Sequence, residues 1–475
     1  MSQHYELAVI GAGPGGYIAA LKAAQLGAKV AIVEKHHLGG TCLNYGCIPS
    51  KALLSSAEML HSVRQADKWG VKVDGNVGFD WNVITGHKDR VIRQLRGGIA
   101  SLLKGRAITQ LAGKAKFDAP GRLAVTSPEG NEQLITADKL IIATGSIPMR
   151  IPGWPDDPAL VCTSDEAVHW TDLPEKLLIV GGGVIGCEFA CMMQSFGVAV
   201  TIVELMPRIL PTLDADLGNE LLKTFKSRGI VCHLGTKVEE ISISGTTIHA
   251  RISNGESLAF DRVLVATGRK PNTNELGLDR AGIHADRRGF VEVNDQLETN
   301  IAGHYTIGDA NGRSMLAHAA SAQGVVAAEN ALGHAKPFEA AIPSAVYTYP
   351  EVAAVGMTEH EAREADLPFA IGRFPLGHLG KAMAARHTEG FAKTIRHRET
   401  NQLLGIHMIG HNATECIAAV TPLIQQKATV KELADIVWAH PTVGESIKES
   451  TEDALGIGLH LPPRKVIRIP ASMAS

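Results

Sequence analysis

The chain has 475 residues, 45% of them hydrophobic and 20% charged, with a formal net charge of −3. That length exceeds what one hydrophobic core organises and points to two to four domains, while the near-neutral balance leaves nucleic acid and acidic membranes without an electrostatic partner. No apolar run of about 18 residues is present to span a membrane, and seven cysteines, five of them isolated, suit a reducing compartment with one functional pair. Met1-Ser2-Gln3-His4 leads almost directly into a strand without the regions of a secretory signal, so the cytoplasm is the expected location. A matrix protein with its transit peptide removed has the same appearance. No metal site is expected.

Leu7 to Ile10 reads as a buried parallel strand, followed at once by Gly11-Ala12-Gly13-Pro14-Gly15-Gly16. A helix-compatible run from Tyr17 to Leu26 comes next, then a strand from Lys29 to Val33 that ends on Glu34. With a strand before it and a helix after it, the turn through Gly11, Gly13 and Gly16 lets backbone N–H groups approach a pyrophosphate. Glu34 can hold the hydroxyls of an adenosine ribose.

The next stretch is Gly39-Gly40-Thr41-Cys42-Leu43-Asn44-Tyr45-Gly46-Cys47-Ile48-Pro49-Ser50-Lys51. Pro49 suits the first residue of a helix running through Leu54. On one helix, residues five apart have Cα atoms about 8.6 Å from each other, whereas a disulfide tolerates about 7 Å. A bridge between Cys42 and Cys47 therefore needs a distorted backbone, and Gly46 is the residue able to supply it. Cys47 then lies against a helix N-terminus, which favours a thiolate. A bridge in distorted geometry is easily reduced, so the pair has the profile of a working disulfide.

The βαβ unit returns further on. Leu177 to Val180 is a strand, Gly181-Gly182-Gly183-Val184-Ile185-Gly186 the turn, Cys187 to Phe196 the helix, and Val198 to Val203 a strand closing on Glu204. Gly11 to Gly181 and Glu34 to Glu204 are both offsets of 170 positions, so Gly181, Gly183 and Gly186 repeat the first turn in register. An Ala-Thr-Gly echo follows each unit, at Ala143-Thr144-Gly145 and Ala266-Thr267-Gly268. Two dinucleotide-binding domains are expected. The first unit is interrupted by the cysteines, so its dinucleotide lies beside them. A disulfide does not easily accept hydride from nicotinamide, but a flavin mediates between the two. FAD is therefore expected in the first domain and a nicotinamide dinucleotide in the second. Glu204 favours NAD, because a carboxylate there accepts from a free 2′-hydroxyl and repels a 2′-phosphate. The turn after it, Leu205-Met206-Pro207-Arg208, carries one arginine set well along.

From about Ser344 the pattern turns to alternating stretches expected to form an antiparallel sheet with helices. Near the end stands Trp438-Ala439-His440-Pro441-Thr442-Val443-Gly444-Glu445. A dithiol attacking a disulfide must lose protons near neutral pH, a task suited to histidine, and a carboxylate on the other ring nitrogen fixes the tautomer.

The cysteine stretch resembles the redox-active site of the pyridine nucleotide–disulfide oxidoreductases, flavoenzymes that include glutathione reductase, mercuric reductase and dihydrolipoyl dehydrogenase. Its wording is most similar to the last of these. The resemblance implies an α/β fold: two Rossmann-like dinucleotide-binding domains and a C-terminal α+β dimerisation domain. The boundaries expected are 1–150 for the FAD domain with its disulfide, 151–272 for NAD, 273–343 for a central domain completing the FAD site, and 344–475 for the interface. It implies that Cys42 exchanges with the substrate dithiol, that Cys47 lies over the flavin as a thiolate, and that His440 is the base oriented by Glu445. The family motif has a serine where this chain has Gly444. It further implies a pair between Lys51 and Glu188 near the flavin, and cofactor contacts at Thr41, Thr144, Gly145 and Gly268. Thr306-Ile307-Gly308-Asp309-Ala310 matches the family's second FAD segment, with Asp309 on a ribityl hydroxyl. Met315, Leu316, Ala317 and His318 would lie along the isoalloxazine. The Ala-rich run that follows, Ala319 to Ala322, departs from the family's usual lysine and acids.

The activity implied is oxidation of protein-bound dihydrolipoyl groups with reduction of NAD+, by a homodimer whose histidine reaches the partner's cysteines. The lipoyl groups are those of a 2-oxo acid dehydrogenase complex or a glycine-cleavage carrier. No lipoyl domain precedes Gly11, so the substrate is expected on another chain. The competing reading is another disulfide reductase of this family running in the NAD(P)H-consuming direction. A mercuric reductase is disfavoured by the absence of cysteines in the tail from Pro462 to Ser475.

Overall fold

A computed structural model describes residues 3–462. The chain forms two compact units: one runs to Leu205 and resumes over Gly235–Glu339, and the other joins Met206–Leu234 to the chain from Ala340 onward. The first unit opens with strand β1 (Gln3–Ile10), helix α1 (Pro14–Gln25), strand β2 (Val30–Glu34), and helices α2 (Gly40–Asn44), α3 (Cys47–Arg64) and α4 (Trp81–Gly105). Strands β3 (Thr109–Ala112), β4 (Lys114–Ala119), β5 (Arg122–Thr126) and β6 (Glu132–Ile142) follow. The sheet order is β3-β2-β1-β6-β5-β4, with the strand His304–Thr306 also paired to β6. Tyr5 and Leu7 to Ile10 are buried because β1 runs parallel between β2 and β6 and is covered on both faces. A second parallel sheet sets Ala199–Glu204, Lys176–Val180, Arg262–Val265 and Val161–Thr163 side by side. Lys176–Val180 occupies there the place that β1 has in the first sheet.

Part of the Ala-rich departure has a packing reason: Ala319 and Ala320 are buried, although Ala322 is exposed. Helix Ala317–Ala331 lies along α1, and a Cβ on Gly324 would come 2.5 Å from the carbonyl oxygen of Gly15. One on Gly15 would come 2.8 Å from that of Ala320. Only small side chains permit helices this close, and Ala319, Ala320, Ala327 and Ala328 are all buried in the seam.

In the second unit the strands Ser344–Val346, Glu351–Gly356, Leu403–Gly410, Phe391–His397 and Phe369–Pro375 form an antiparallel sheet in that order. Helix Glu445–Leu455 packs on its Phe369–Pro375 edge, where a Cβ on Gly372 would lie 1.9 Å from the carbonyl oxygen of Ser450. Bonds from Thr394 Oγ1 to Ser450 Oγ (2.8 Å) and from Arg373 N to Asp453 Oδ2 (2.8 Å) set its register.

The same sheet buries Lys393, 1% exposed, with its Nζ 2.9 Å from each of Asp214 Oδ1, Asp216 Oδ2 and Glu359 Oε2. Asp214 also caps helix Ala215–Ser227, so the lysine ties that helix to the sheet. Removing one member of such a cluster strands buried charge. Lys393→Met is therefore expected to cost roughly 3–5 kcal/mol in denaturant unfolding, and Lys393→Met with Asp214→Asn to recover part of it. A single variant as stable as the native chain would show the cluster to be energetically neutral.

Candidate active site

The two glycine turns are built alike. A Cβ on Gly11 would meet the Ala143 carbonyl oxygen at 2.3 Å, and one on Gly181 the Ala266 carbonyl oxygen at 2.5 Å. On Gly16 and Gly186 it would meet the first glycine of the same turn at 1.9 and 2.0 Å. Both positions demand glycine because helix, turn and neighbouring strand converge there. The strand-end acids clamp the turns: Glu34 Oε2 accepts from Ala12 N at 2.7 Å, and Glu204 Oε2 from Gly182 N at 2.5 Å. Glu34 also accepts from His36 N through Oε1 at 2.8 Å.

Whether these turns fit dinucleotides can be judged from what borders them. Gly13 and Gly183 are the N-caps of α1 and of helix Val184–Ser195, and neither helix has a side-chain cap. A Cβ on Gly183 would touch nothing within 4 Å, and one on Gly13 only the Gly40 Cα at 3.9 Å. Helix-start N–H groups facing open space are what a pyrophosphate requires. Just past the end of β6, Thr144 Oγ1 is a buried hydroxyl without a hydrogen-bond partner among the described residues, and Gly145 adopts φ 66°. Both sites fit their groups.

Asp309 Oδ2 accepts from Ser146 Oγ at 2.5 Å, and Ser146 Oγ in turn accepts from Arg269 Nε at 2.7 Å. Met315 and Leu316 lead into the start of helix Ala317–Ala331, where Ala317 and His318 form its first turn. Gly268 takes φ 123° just after the strand Arg262–Val265, and its carbonyl accepts from Met149 N at 3.0 Å.

The cysteine pair sits at a helix break. Thr41 and Cys42 lie in α2, Tyr45 and Gly46 leave helical geometry, and α3 starts at Cys47. Gly46, at φ −132° and ψ −107°, is the point of departure. Pro49 is thus the third residue of α3 rather than the first. It is tolerated there because first-turn N–H groups have no intrahelical partner. The Cys42 thiol donates to Cys47 and, with the nearby Lys51 ammonium opposing burial, lowers the Cys47 thiol to about 7. That same bond, burial and the developing charge on Cys47 push Cys42 up. In the reduced pair Cys47 is therefore the first of the two to lose its proton. Lys51 Nζ lies 2.9 and 2.8 Å from the two carboxylate oxygens of Glu188, which is 5% exposed. A charge at that depth is stable only when paired.

In the second unit His440 stands in the loop before helix Glu445–Leu455. Its Nδ1 is 2.9 Å from Glu445 Oε1, whose other oxygen accepts from Thr442 N at 2.8 Å. A carboxylate partner puts the proton on Nδ1 and leaves Nε2 basic. Burial raises the Glu445 carboxyl, but the Thr442 N–H and His440 outweigh it and hold it below its ordinary range. The imidazole itself is 78% exposed. A Cβ on Gly444 would come 2.7 Å from the Trp438 ring, which is why glycine stands where the motif has serine.

Residues that sequence reasoning missed are Ser146, Arg269 and Trp438. Ser146 and Arg269 act through neighbours distant in sequence, and the contact of Trp438 with Gly444 carries no recognisable local pattern. Among the described residues no helix is long and apolar enough to cross a membrane.

Comparison with known proteins covers nearly the whole chain. The pyridine nucleotide-disulphide oxidoreductase family matches residues 5–324, and the dimerisation domain of the same family matches residues 342–451. The dihydrolipoyl dehydrogenase of Thermus scotoductus is 40% identical, over 96% of this chain and 99% of its own. Those of Chlamydia muridarum and Bacillus subtilis are each 38% identical, over 98% and 97% of this chain and all of their own. Among solved structures, LpdA from Mycobacterium tuberculosis superposes with a TM-score of 0.87 at 27% identity, over 95% of this chain and 99% of its own. RclA, an HOCl-induced flavoprotein disulfide reductase from Escherichia coli, gives 0.84 at 28%, over 94% and 99%. Matches that run through both units, at this identity and nearly end to end, leave one conclusion: the chain belongs to the pyridine nucleotide–disulphide oxidoreductases, with that family's dimerisation domain, and within them to the FAD- and NAD-dependent dihydrolipoyl dehydrogenases.

Proposed function

We propose that the chain oxidises protein-bound dihydrolipoyl groups to lipoyl groups and reduces NAD+ to NADH, with Cys42, Cys47, His440 and Glu445 as its working residues. The observation that carries this reading is the cysteine pair at the break between α2 and α3, with the Lys51–Glu188 pair close by and Cys47 the more acidic of the two. His440 Nε2 takes a proton from the substrate dithiol. The substrate thiolate attacks Cys42 of the oxidised pair, breaking the Cys42–Cys47 bond and releasing Cys47 as a thiolate. The second substrate thiol attacks the substrate sulfur of the mixed disulfide, its proton passing to Cys42, which leaves as a thiol as the lipoyl disulfide closes. Two electrons now reside on the pair. Low acidity at Cys42 and high acidity at Cys47 suit these separate roles, because the more acidic thiol is the better leaving group. Lys51 supports the Cys47 charge, and Glu188 holds Lys51 in place. FAD, when bound, supplies the two-electron link between this pair and the nicotinamide. Gly11, Gly13, Gly16, Glu34, Thr41, Thr144, Gly145 and Asp309 would hold FAD, with Met315 to His318 along its ring system. Gly181, Gly183, Gly186, Glu204 and Gly268 would hold NAD. The domains would divide near residues 150, 272 and 343, and the substrate would arrive on the lipoyl domain of a separate protein, in the cytoplasm.

The deciding experiment compares two turnovers of the purified enzyme. Dihydrolipoamide with NAD+ is expected to be fast and glutathione disulfide with NAD(P)H negligible; the reverse order would make the chain a reductase. The nicotinamide preference follows from Glu204, 7% exposed and bonded to the turn, where a 2′-phosphate would meet its charge. NAD should exceed NADP in kcat/KM by roughly 10²-fold, as like charges at close range cost several kcal/mol. Similar values for both would refute the role given to that acid.

A further inference from the structure

The turn that carries Asp309 is held from inside the protein. It follows the strand His304–Thr306 as a tight helical stretch, Gly308–Asn311, whose other three residues are buried while Asp309 is not. Gln323, on helix Ala317–Ala331 and 0% exposed, reaches this turn with its side chain. Its Oε1 accepts from Gly308 N at 2.7 Å and from Asn311 Nδ2 at 2.9 Å. Asn311 Nδ2 also donates to the Thr306 carbonyl at 3.0 Å, while Asn311 Oδ1 accepts from Arg313 N at 3.0 Å. Main-chain groups thus fix the sense of the Asn311 amide, and two donors then converge on one Gln323 atom, which must be its oxygen. Gly308 takes φ 65°, and a Cβ there would lie 3.0 Å from the Ala320 Cβ, so the turn also packs closely on the same helix. The remaining polar atom, Gln323 Nε2, is buried without a hydrogen-bond partner among the described residues. A donor left unpaired at that depth is destabilising, and an apolar side chain would avoid it. What the amide supplies is position rather than stability.

We propose that Gln323 is a positioning residue for FAD, which through Gly308 N and Asn311 holds the turn that presents Asp309 to the cofactor. The inference rests on the reading of Asp309 as an FAD ligand. Two supports divide the work. Ser146 Oγ orients the Asp309 carboxylate itself, and Gln323 fixes the backbone on which that carboxylate stands. Gln323 also ties this turn to the helix whose first residues, Ala317 and His318, would lie along the flavin ring system. Without the amide oxygen Gly308 N loses its acceptor, and the turn no longer keeps Asp309 at one height above that helix.

The test is FAD affinity, into which turnover does not enter. Each full-length variant, loaded with FAD and freed of excess, is diluted in steps, and the released flavin is read from its fluorescence. Gln323→Leu should weaken binding roughly tenfold, the scale of one hydrogen bond lost from a buried donor, and Asp309→Ala by about tenfold or more. Gln323→Glu, whose carboxylate accepts from the same two donors, should stay within about threefold of native. The double variant decides the route. If Gln323 acts through Asp309, adding Gln323→Leu to Asp309→Ala should weaken binding by less than about twofold more. A double variant weakened by the product of the two single effects overturns the inference, because the glutamine then acts on the fold and not through the aspartate. Native affinity in Gln323→Leu, or a glutamate variant as weak as the leucine one, overturns it too. If Gln323→Leu does not fold, Gln323→Met, which also lacks the amide oxygen, replaces it throughout. Native affinity in Asp309→Ala overturns instead the reading of Asp309, and the inference with it.

Discussion

Cys42→Ser should retain bound FAD yet lose dihydrolipoamide turnover by roughly 10³-fold or more, because a serine hydroxyl cannot form the mixed disulfide on which exchange depends. The flavin cradle proposed above does not include that sulfur. The turns at Gly11 to Gly16, the Thr144 hydroxyl and Asp309 are separate elements, set by strand ends and helix starts rather than by the cysteine side chain. Flavin absorbance and turnover should therefore separate cleanly in this variant. Near-normal turnover in Cys42→Ser would sink the disulfide mechanism, and loss of flavin would show that the cysteine is structural.

His440→Ala should cost roughly 10²–10⁴-fold in turnover, the usual worth of a positioned base, and a mixing experiment asks whose cysteines it serves. His440 belongs to the unit matched by the dimerisation domain. A two-fold interface imposes two equivalent sites. We propose that each His440 acts on the partner's Cys42. Cys42→Ala and His440→Ala chains are each inactive as homodimers, but in a mixed dimer one site lacks both groups and the other lacks neither. Refolding the two together should restore roughly a quarter of native activity, since half the dimers are mixed and half their sites are whole. Verified mixed dimers without activity would assign the histidine to its own chain. The Glu445 link predicts the companion effect: with its carboxylate on Nδ1 at 2.9 Å, Glu445→Gln should lower turnover less than His440→Ala, because the base remains but loses its orienting charge.

What the sequence determined by itself is whatever depends on fixed spacing along the chain. The two βαβ units were legible because a parallel strand, a glycine turn and a strand-end acid must follow at set intervals to build the turn at all. The structure shows the same clamp at Ala12–Glu34 and Gly182–Glu204. The helix break between Cys42 and Cys47 was legible for the same reason, since helical rise excludes a bridge across five residues. Tertiary structure alone decided what depends on side chains from distant elements. It moved the start of α3 from Pro49 to Cys47, because which first-turn N–H groups go unused is settled by the surroundings and not by proline. It explained Ala320 through the close approach of two helices. It also brought Gln323 onto Gly308 and Asn311, and Lys393 onto three carboxylates. Such partners lie in separate elements, some of them far apart in sequence. A lone lysine or glutamine carries no periodicity, so only the folded chain reveals what each one touches.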